Sequence, residues 1–381
     1  MPPFQSVSPV SVLSFLSFVG ISLAGLILPS SAPAAGVDAE AYERAVANVI
    51  QYTRTAQSED GSFSGQFGSG VTSLVTTGLL LHGRSPEEPV VARALASLEK
   101  HVQPDGGVYM TGTRYRNYET CLAIMCFSEA RKKLPKGDDR YDKLIADAER
   151  FIKELQWDAG EGHGPESMNY GGAGYGRHGR PDLSNTGFFI EALKSLGRGE
   201  DDPHLQAALA FVSRTQNLET EHNTSPFAAS VGDGGFYYTP AAGGQSQAGE
   251  TDNGGLRSYG SMTYVGLKSM LYAGVGPEDP RVKAAYDWAK KHYTLEQNPG
   301  MGSAGYYYYL HTFAKALDAI GEDTVVDAQG VSHDWRAELV ERLASTQAAD
   351  GSWVNENERW LESDPNLVAG YCLLALSYCQ P

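Results

Sequence analysis

Positive charge is scarce in this sequence. Its 381 residues include 30 lysines and arginines against 46 aspartates and glutamates, a net charge of -16. Binding to nucleic-acid phosphates or to anionic lipid headgroups needs a basic surface. The charge balance therefore predicts no nucleic-acid partner, and it argues against adhesion to an anionic membrane surface. Apolar and charged residues otherwise occur in the proportions of a soluble globular protein.

Cysteine is also rare. The four cysteines are Cys121, Cys126, Cys372 and Cys379. Each pair falls within one predicted helix, at a spacing that is poorly suited to a disulfide inside that helix. We expect small, buried, apolar side chains at these positions, and a bridge between two helices stays open as the alternative.

Residues 1–35 contain no charged side chain at all. Residues 10–28 are apolar apart from scattered serine and glycine, and Ala32-Pro33-Ala34 follows. We predict a secretory signal peptide over 1–35, cut near Ala34, and hence an exported, periplasmic or secreted protein. Because no lysine or arginine precedes the apolar stretch, an uncleaved membrane anchor is the alternative. No later segment is apolar enough to span a bilayer, so we expect no integral membrane domain after cleavage.

One type of turn recurs along the chain and combines glutamine, an Asp-Gly pair and an aromatic residue. The clearest copies are residues 57–63, 103–109 and 347–353; residues 233–236 keep the centre of the pattern, and residues 156–160 and 300–306 are degraded versions. Self-similarity at a period of about 50 residues is typical of a repeat architecture. We therefore expect a single repeat domain over 38–381, with the aspartates forming structural turns and not catalytic acids.

Apolar residues recur three and four positions apart between these turns, which predicts amphipathic helices. Capping residues such as Asp38, Ser184, Asp279 and Asp364 mark several helix starts. The twelve predicted helices are 39–57, 70–82, 87–102, 117–133, 139–156, 183–197, 203–217, 257–274, 280–295, 304–320, 333–348 and 364–379.

The helices alternate between two classes. The odd-numbered ones carry many charges, as in residues 142–150, whereas the even-numbered ones are nearly uncharged, as in residues 76–81 and 368–374. A helix that is apolar all round must be buried on all sides. The alternation predicts an all-α fold, an (α/α)6 toroid with six outer and six inner helices. An open solenoid of helix pairs is the alternative, but it would expose a long apolar face.

The turns resemble the repeats of the squalene cyclase and protein prenyltransferase superfamily, and especially the exported bacterial proteins with prenyltransferase/squalene oxidase repeats. The resemblance covers nearly all of residues 40–380. It implies an α/α toroid whose inner helices surround an apolar cavity for isoprenoid chains.

The cyclases of that superfamily carry an Asp-x-Asp-Asp-Thr-Ala segment whose middle carboxylic acid protonates an alkene. The similar stretch here is Asp182-Leu183-Ser184-Asn185-Thr186-Gly187. Ser184 stands in the place of the acid, and a serine hydroxyl cannot protonate an alkene. We expect Ser184 and Asn185 to cap the helix, with a contact to a ligand as the second interpretation, while Asp182 is the one acid left in the segment.

The zinc ligands of the prenyltransferases have no clear counterpart. Residues 364–379 are similar to the inner helix of their metal-ligand region, but no Asp-x-Cys pair precedes this stretch and no histidine lies in it. We therefore predict no metal and no cofactor.

Polar residues on the apolar inner helices are the remaining candidates for function. Glu119 and Tyr259 lie near predicted helix starts and His311 lies within an inner helix, so we predict Asp182, Glu119, His311 and Tyr259 as catalytic residues if the chain is an enzyme. Four successive tyrosines, residues 306–309, cover all faces of one inner helix, so at least one should face the cavity. The predicted ligand-binding residues are Asn185, Ser184, Tyr118, Tyr264, Tyr308 and Arg257.

Two long insertions, residues 160–181 and 219–255, are predicted to roof one mouth of the toroid. The preferred function is an exported toroid of the isoprenoid class that binds an apolar small molecule or lipid and lacks the protonating acid. The alternatives are a non-catalytic scaffold or receptor in the cell envelope, and a glycan-active periplasmic enzyme.

Overall fold

The structure is a computed structural model that describes residues 36–176 and 179–381. The predicted signal peptide lies outside the described residues. Within them the chain forms thirteen α-helices: α1 (Ala39–Ala56), α2 (Gly70–Leu81), α3 (Pro89–Glu99), α4 (Arg116–Lys132), α5 (Asp142–Lys153), α6 (Leu183–Ser195), α7 (Pro203–Arg214), α8 (Ala228–Val231), α9 (Gly260–Tyr272), α10 (Pro280–Lys291), α11 (Tyr306–Ile320), α12 (Trp335–Thr346) and α13 (Pro365–Leu376).

Twelve of these helices match the twelve predicted ones, with ends that are mostly one to four residues shorter. The four-residue helix α8 was not predicted. A small antiparallel hairpin was also missed, in which β1 (Val325–Val326) pairs with β2 (Ser332–His333). Both additions lie in connections and leave the helical framework unchanged.

Six helices form a closed inner ring. Helices α2, α4, α6, α9, α11 and α13 each pack against the next in this order, and α13 packs back against α2. Helices α1, α3, α5, α7, α10 and α12 pack on the outside of the ring, and α12 contacts α1. The all-α (α/α)6 toroid is confirmed, and the open solenoid is wrong.

Burial follows the predicted alternation. Every residue of α2 from Gly70 to Leu80 is buried, whereas in α5 only Ile145, Ala148, Phe151 and Ile152 are buried. An outer helix thus covers the ring with one face and meets water with the other, as an amphipathic surface helix does.

The glutamine of the recurrent turn joins consecutive outer helices. The side-chain amide of Gln347 donates to the carbonyl of Gly351 in its own turn at 3.1 Å and to the carbonyl of Ala45 in α1 at 3.0 Å. The last turn is thereby tied to the first helix. Three other glutamine side-chain amides each donate to two backbone carbonyls in the same way, at 2.8–2.9 Å. These are Gln57 to Gly61 and Val90, Gln156 to Gly171 and His204, and Gln216 to Gly234 and Arg281.

The rest of the turn is anchored to the inner ring. Phe236 is fully buried, and its backbone N–H donates to the hydroxyl of Thr263 on α9 at 3.1 Å. The backbone N–H of Phe63 likewise donates to the hydroxyl of Thr72 on α2 at 3.0 Å. Asp350 accepts the backbone N–H of Ser352 at 3.0 Å, the hydrogen bond of an Asx turn. Asp350 therefore stabilises its own turn.

The predicted capping of α6 by Ser184 and Asn185 is wrong, because both residues lie inside the helix. Asp38, Asp279 and Asp364 cap their helices with side-chain oxygens, as expected. Helix α6, however, is capped by Asp182, whose Oδ1 accepts the backbone N–H of Asn185, and Ser184 lies inside the first turn.

The four cysteines are buried and free, so no disulfide joins them. Across the described ranges 36–176 and 179–381, no helix has both the length and the apolarity needed to cross a membrane.

Ring closure can be tested at Gly351. Its φ is 90°, and an added Cβ would lie 2.3 Å from the carbonyl oxygen of Asn48 in α1. We predict that Gly351→Ala lowers the free energy of unfolding by about 3 kcal/mol, because left-handed strain and a backbone clash add. Urea unfolding followed by circular dichroism measures this.

The matched control is Gly330→Ala in the hairpin loop, where φ is 82° and no atom would lie within 4 Å of the new Cβ. Strain alone should cost about 1 kcal/mol there. Equal losses at the two positions would contradict the role of Gly351 in packing the last turn on α1.

Candidate functional site

A cavity of about 670 Å³ lies inside the inner ring, at the end where the inner helices begin. Of the 26 described residues that line it, ten are aromatic and five are aliphatic. Six of the aromatic residues are Tyr118, Tyr175, Tyr238, Tyr259, Tyr308 and Tyr371. A volume of this order is typical of small-molecule sites, which are mostly apolar with a few polar groups.

The rim of the cavity is apolar and exposed. Phe67, Tyr175, Trp360 and Leu361 line the cavity and are among the few large apolar residues that remain exposed in the described chain. Clustering of such residues around one opening marks a surface for interaction, whereas single exposed apolar residues are common.

Strained backbone holds part of this rim in place. Trp360 and Leu361 have φ angles of 57° and 65°, a left-handed conformation that is costly for bulky residues. The Arg359 guanidinium lies 4.2 Å from the centre of the Trp360 ring, and it donates to the Gln247 side chain at 2.6 Å. These contacts join the segment before α13 to the second insertion across the mouth.

Glu119 is a buried carboxylate in the cavity wall. Its Oε2 accepts the backbone N–H and the hydroxyl of Ser69 and the backbone N–H of Met110, each at 2.9 Å. Oε1 has no partner among the described residues. Glu119 therefore stabilises the start of α2 from the neighbouring helix and retains one free acceptor.

Glu362 is a second carboxylate in the wall, and it was missed from the sequence. It is fully buried and accepts the backbone N–H groups of Tyr308 at 2.8 Å and Tyr307 at 3.2 Å, and the side-chain amide of Asn355 at 2.7 Å. Burial raises its pKa, and these hydrogen bonds partly offset that effect. No spacing in the sequence places it here, because the left-handed turn at Trp360 and Leu361 directs this segment inward.

Asp182 lies one layer behind the cavity. Its carboxylate accepts the backbone N–H of Asn185 at 2.9 Å, the Asn185 side-chain amide at 2.8 Å and the hydroxyl of Tyr238. Asn185 and Tyr238 line the cavity, whereas Asp182 does not. Burial raises the pKa of Asp182 to about 6, although these hydrogen bonds act in the opposite direction.

Four of the six predicted ligand-binding residues line the cavity: Tyr118, Ser184, Asn185 and Tyr308. The hydroxyls of Ser184 and Tyr308 lie 2.9 Å apart. The Oδ1 of Asn185 is buried and has no partner in the described part of the chain. Of the tyrosines 306–309, only Tyr308 lines the cavity.

The other two predicted ligand-binding residues, Tyr264 and Arg257, do not line the cavity. Tyr264 is buried between helices, with its ring 5.7 Å from that of Tyr309 and 5.2 Å from that of Phe313. Arg257 is exposed and donates to the carbonyl of Glu250 at 3.0 Å. Helix α9 begins at Gly260 and not at 257, so Arg257 belongs to the preceding loop.

The predicted catalytic residues are only partly brought together. Glu119 and Tyr259 line the cavity, whereas Asp182 and His311 do not. His311 is fully buried, with its ring 5.4 Å from Tyr371 and 6.1 Å from Tyr308. Neither ring nitrogen has a partner among the described residues. Burial, and secondarily Lys315, holds the pKa of His311 well below its usual range, so the imidazole is neutral.

A buried ionic cluster lies beyond His311. Glu191 on α6 accepts from the ammonium groups of Lys268 on α9 and Lys315 on α11. Although burial alone would raise the pKa of Glu191, the two ammonium groups hold it far below its usual range. Burial lowers the pKa of Lys268. The sequence signal was present, because these are charged residues on inner helices that carry few charges.

The site is thus an aromatic cavity with carboxylates in its wall near the mouth and ammonium groups beyond its far end. Over residues 36–176 and 179–381 no group of three or more His, Cys, Asp and Glu side chains is arranged to hold a metal ion. Glu119, Asp182 and Glu362 all accept backbone N–H groups at helix starts, which stabilises the carboxylates and the helices together.

No protein-family model matches the chain, and a comparison with curated proteins gives no match. Among solved structures, it is similar to a variant of the type II terpene cyclase MstE from Scytonema in complex with geranylgeranyl dihydroxybenzoate. The TM-score is 0.54 at 11% identity, over 90% of this chain and 98% of that one.

Carbohydrate-active proteins are similar as well. A polysaccharide lyase has a TM-score of 0.52 at 10% identity, covering 88% of this chain and 96% of that one. An α-amylase from Clostridium perfringens has a TM-score of 0.50 at 12% identity, covering 87% and 96%. Identities this low show a shared fold alone: the chain has the terpene cyclase-like α/α toroid, which carbohydrate-active enzymes also use.

The raised pKa of Asp182 makes stability depend on pH. The folded value is about 6, and the unfolded value is about 3.9. The stabilisation from the retained proton is fully present below the unfolded pKa and is lost as pH rises through 6. At about 1.4 kcal/mol per pKa unit, the loss is up to about 3 kcal/mol.

Asp182→Asn removes the titrating group and keeps a good N-cap residue. We expect its free energy of unfolding, relative to the unsubstituted chain, to rise by up to about 3 kcal/mol between pH 4 and pH 7. Denaturant unfolding of both proteins at the two pH values measures this difference. A difference that is the same at both would show that Asp182 has an ordinary pKa.

Proposed function

We propose that this protein binds an apolar, isoprenoid-type molecule in its central cavity. The observation that carries the proposal is the lining, in which fifteen of 26 residues are aromatic or aliphatic around about 670 Å³. Burying an apolar chain there removes its surface from water, which is worth about 25 cal/mol per Å² before the costs of association. The apolar rim of Phe67, Trp360 and Leu361 suits the passage of such a ligand.

The terpene cyclase likeness supports the same ligand class. That enzyme was solved with a geranylgeranyl substrate in a toroid of similar fold. The segment Asp182–Gly187 and the recurrent turns support membership of this chain in the squalene cyclase and prenyltransferase superfamily. We propose that the chain is a member that lacks the protonating acid, since Ser184 stands in its place.

The carboxylates favour this ligand class over a glycan. Glycoside hydrolysis needs two carboxyl groups that are free to act on the scissile bond from either side. Glu119 and Glu362 each hold backbone N–H groups at a helix start, and Asp182 lies behind Asn185. None of these three carboxylates both lines the cavity and has two oxygens that are free of protein hydrogen bonds.

A substitution that fills the cavity tests the proposal. Val71 lines the cavity in the first turn of α2, and Val71→Trp places an indole in its volume. We expect the affinity for geranylgeraniol, measured by titration calorimetry or by quenching of tryptophan fluorescence, to fall at least about tenfold. Circular dichroism should show an unchanged helix content.

The matched control is Val331→Trp, the same exchange at a half-exposed position in the β1–β2 loop. It should leave the affinity unchanged. Equal affinities for the two variants, or no binding of geranylgeraniol by the unsubstituted protein, would contradict the proposal.

We also propose that the protein is exported. The sequence of residues 1–35 supports this, with an uncharged apolar stretch followed by Ala32-Pro33-Ala34. N-terminal sequencing of the protein from its own host should give a first residue close to Ala35. A chain that begins at Met1 would support an uncleaved anchor instead.

A further inference from the structure

The ionic cluster beyond the cavity shares a helix face with the cavity lining. On α11, Tyr308, His311 and Lys315 follow one another at three and four residues, and they lie on one face. On α6 the same face carries Ser184, Phe188 and Glu191. Ser184, Phe188 and Tyr308 line the cavity. Seven helical residues span about 10 Å, so the cluster lies about that far below the Ser184–Tyr308 pair.

The charges in this cluster do not balance. Lys268, Lys315 and Glu191 are all at least 94% buried by side-chain area, and one carboxylate faces two ammonium groups. The neutral imidazole of His311 supplies no counter-charge. Buried charges in proteins are normally paired, because an unpaired one is strongly destabilising.

The helix ends do not compensate. Carbonyl groups at a helix C-terminus attract cations, but the effect falls off within the last turn. Lys268 lies four residues before the end of α9 at Tyr272, and Lys315 lies five residues before the end of α11 at Ile320. Both ammonium groups therefore belong to residues that precede the last turn of their helices.

The cluster also has hydrogen-bonding capacity to spare. Each ammonium group carries three donors. Among the described residues, Lys268 and Lys315 each use one donor, toward Glu191. Both ring nitrogens of His311 are buried and have no partner within the described ranges, and a neutral imidazole carries one N–H donor and one acceptor. Buried polar groups are nearly always satisfied, so the remaining ammonium hydrogens and the imidazole N–H point to an acceptor that the described residues do not supply.

We propose that Lys268, Lys315 and His311 form a buried anion site that binds a carboxylate or a similar singly charged oxyanion. Such an anion supplies both the missing negative charge and the missing acceptors. Hydrogen bonds between charged partners are the strong ones in proteins. A water molecule could accept hydrogen bonds here, but it would leave the charge unbalanced.

The anion has two sources with the same chemistry. It can be the end group of the apolar chain in the cavity, which makes the ligand an isoprenoid acid, and this form rests on the proposed function. The carboxylates in the wall near the mouth repel such an end group, whereas the ammonium groups attract it, so the chain would bind with its acid end deepest. Alternatively, it is a free small anion that reaches the cluster independently of the cavity ligand.

The experiment compares farnesoic acid with farnesol, which have the same chain and differ at the end group. Titration calorimetry at pH 7 should show that the unsubstituted protein binds the acid at least about tenfold more tightly than the alcohol. Lys315→Met should abolish this preference by lowering the affinity for the acid at least about tenfold. The remaining pair of Lys268 and Glu191 is balanced, so this variant should fold.

Acetate alone tests the free anion. In a buffer of the bulky sulfonate MES at constant ionic strength, acetate should raise the melting temperature of the unsubstituted protein and not that of Lys315→Met. Lys143→Met is the matched control, since it removes the same charge from an exposed side chain on α5. It should behave like the unsubstituted protein in both assays. If Lys315→Met does not fold, Lys268→Met replaces it.

A preference for the acid that is lost in Lys315→Met supports the site with the anion on the ligand. An acetate effect that is lost in Lys315→Met, with equal affinities for acid and alcohol, supports the site with a free anion. Farnesol binding without an acid preference or an acetate effect overturns the anion site and leaves the proposed function standing. If neither farnesol nor the acid binds, the proposed function fails, and the acetate assay alone decides the anion site.

Discussion

An α-helix without a polar face is stable in water only when other helices cover it on every side. Six helices of this chain are of that kind, and in α2 burial is continuous from Gly70 to Leu80. Neighbours in a ring cover two sides of each, and the outer helices cover a third. The fourth side faces the axis, so ring closure is what removes it from bulk water.

Six cylinders of about 10 Å diameter arranged in a ring leave a central space about as wide as one more cylinder. Side chains must fill this space or a ligand must. Toward the end of the inner helices lie the buried His311 and the ionic cluster around Glu191, and toward their start the space is open as the aromatic cavity. The carboxylates lie where the inner helices begin and the ammonium groups lie deeper, so the axis of the cavity is electrically polar.

Much of the fold could be predicted from the sequence, because it depends on periodicity and composition. The contrast between charged and uncharged helices predicts the inner and outer rings, and the helix starts around Glu119 and Ser184 are found near their predicted places. The error at Arg257 came from a helix start placed three residues too early. Which face of a helix points to the axis, as for Tyr308 but not Tyr264, depends on packing between distant segments.

The loops could not be predicted in the same way. Glu362 enters the cavity wall because Trp360 and Leu361 adopt left-handed conformations, which neither residue prefers by itself. The hydrogen bond from Gln216 to Gly234 spans an insertion. The sequence pattern therefore shows only the second half of this turn, residues 233–236. Glu191, Lys268 and Lys315 were visible as charges on otherwise apolar helices, but only the closed ring shows that they meet.

The most direct measurement is native mass spectrometry of the protein purified from its own host, with the released ligand identified after extraction into organic solvent. A toroid closed around an aromatic cavity should carry a bound apolar molecule with the mass of an isoprenoid compound. A bound oligosaccharide, or a chain that carries nothing in every preparation, would contradict the account.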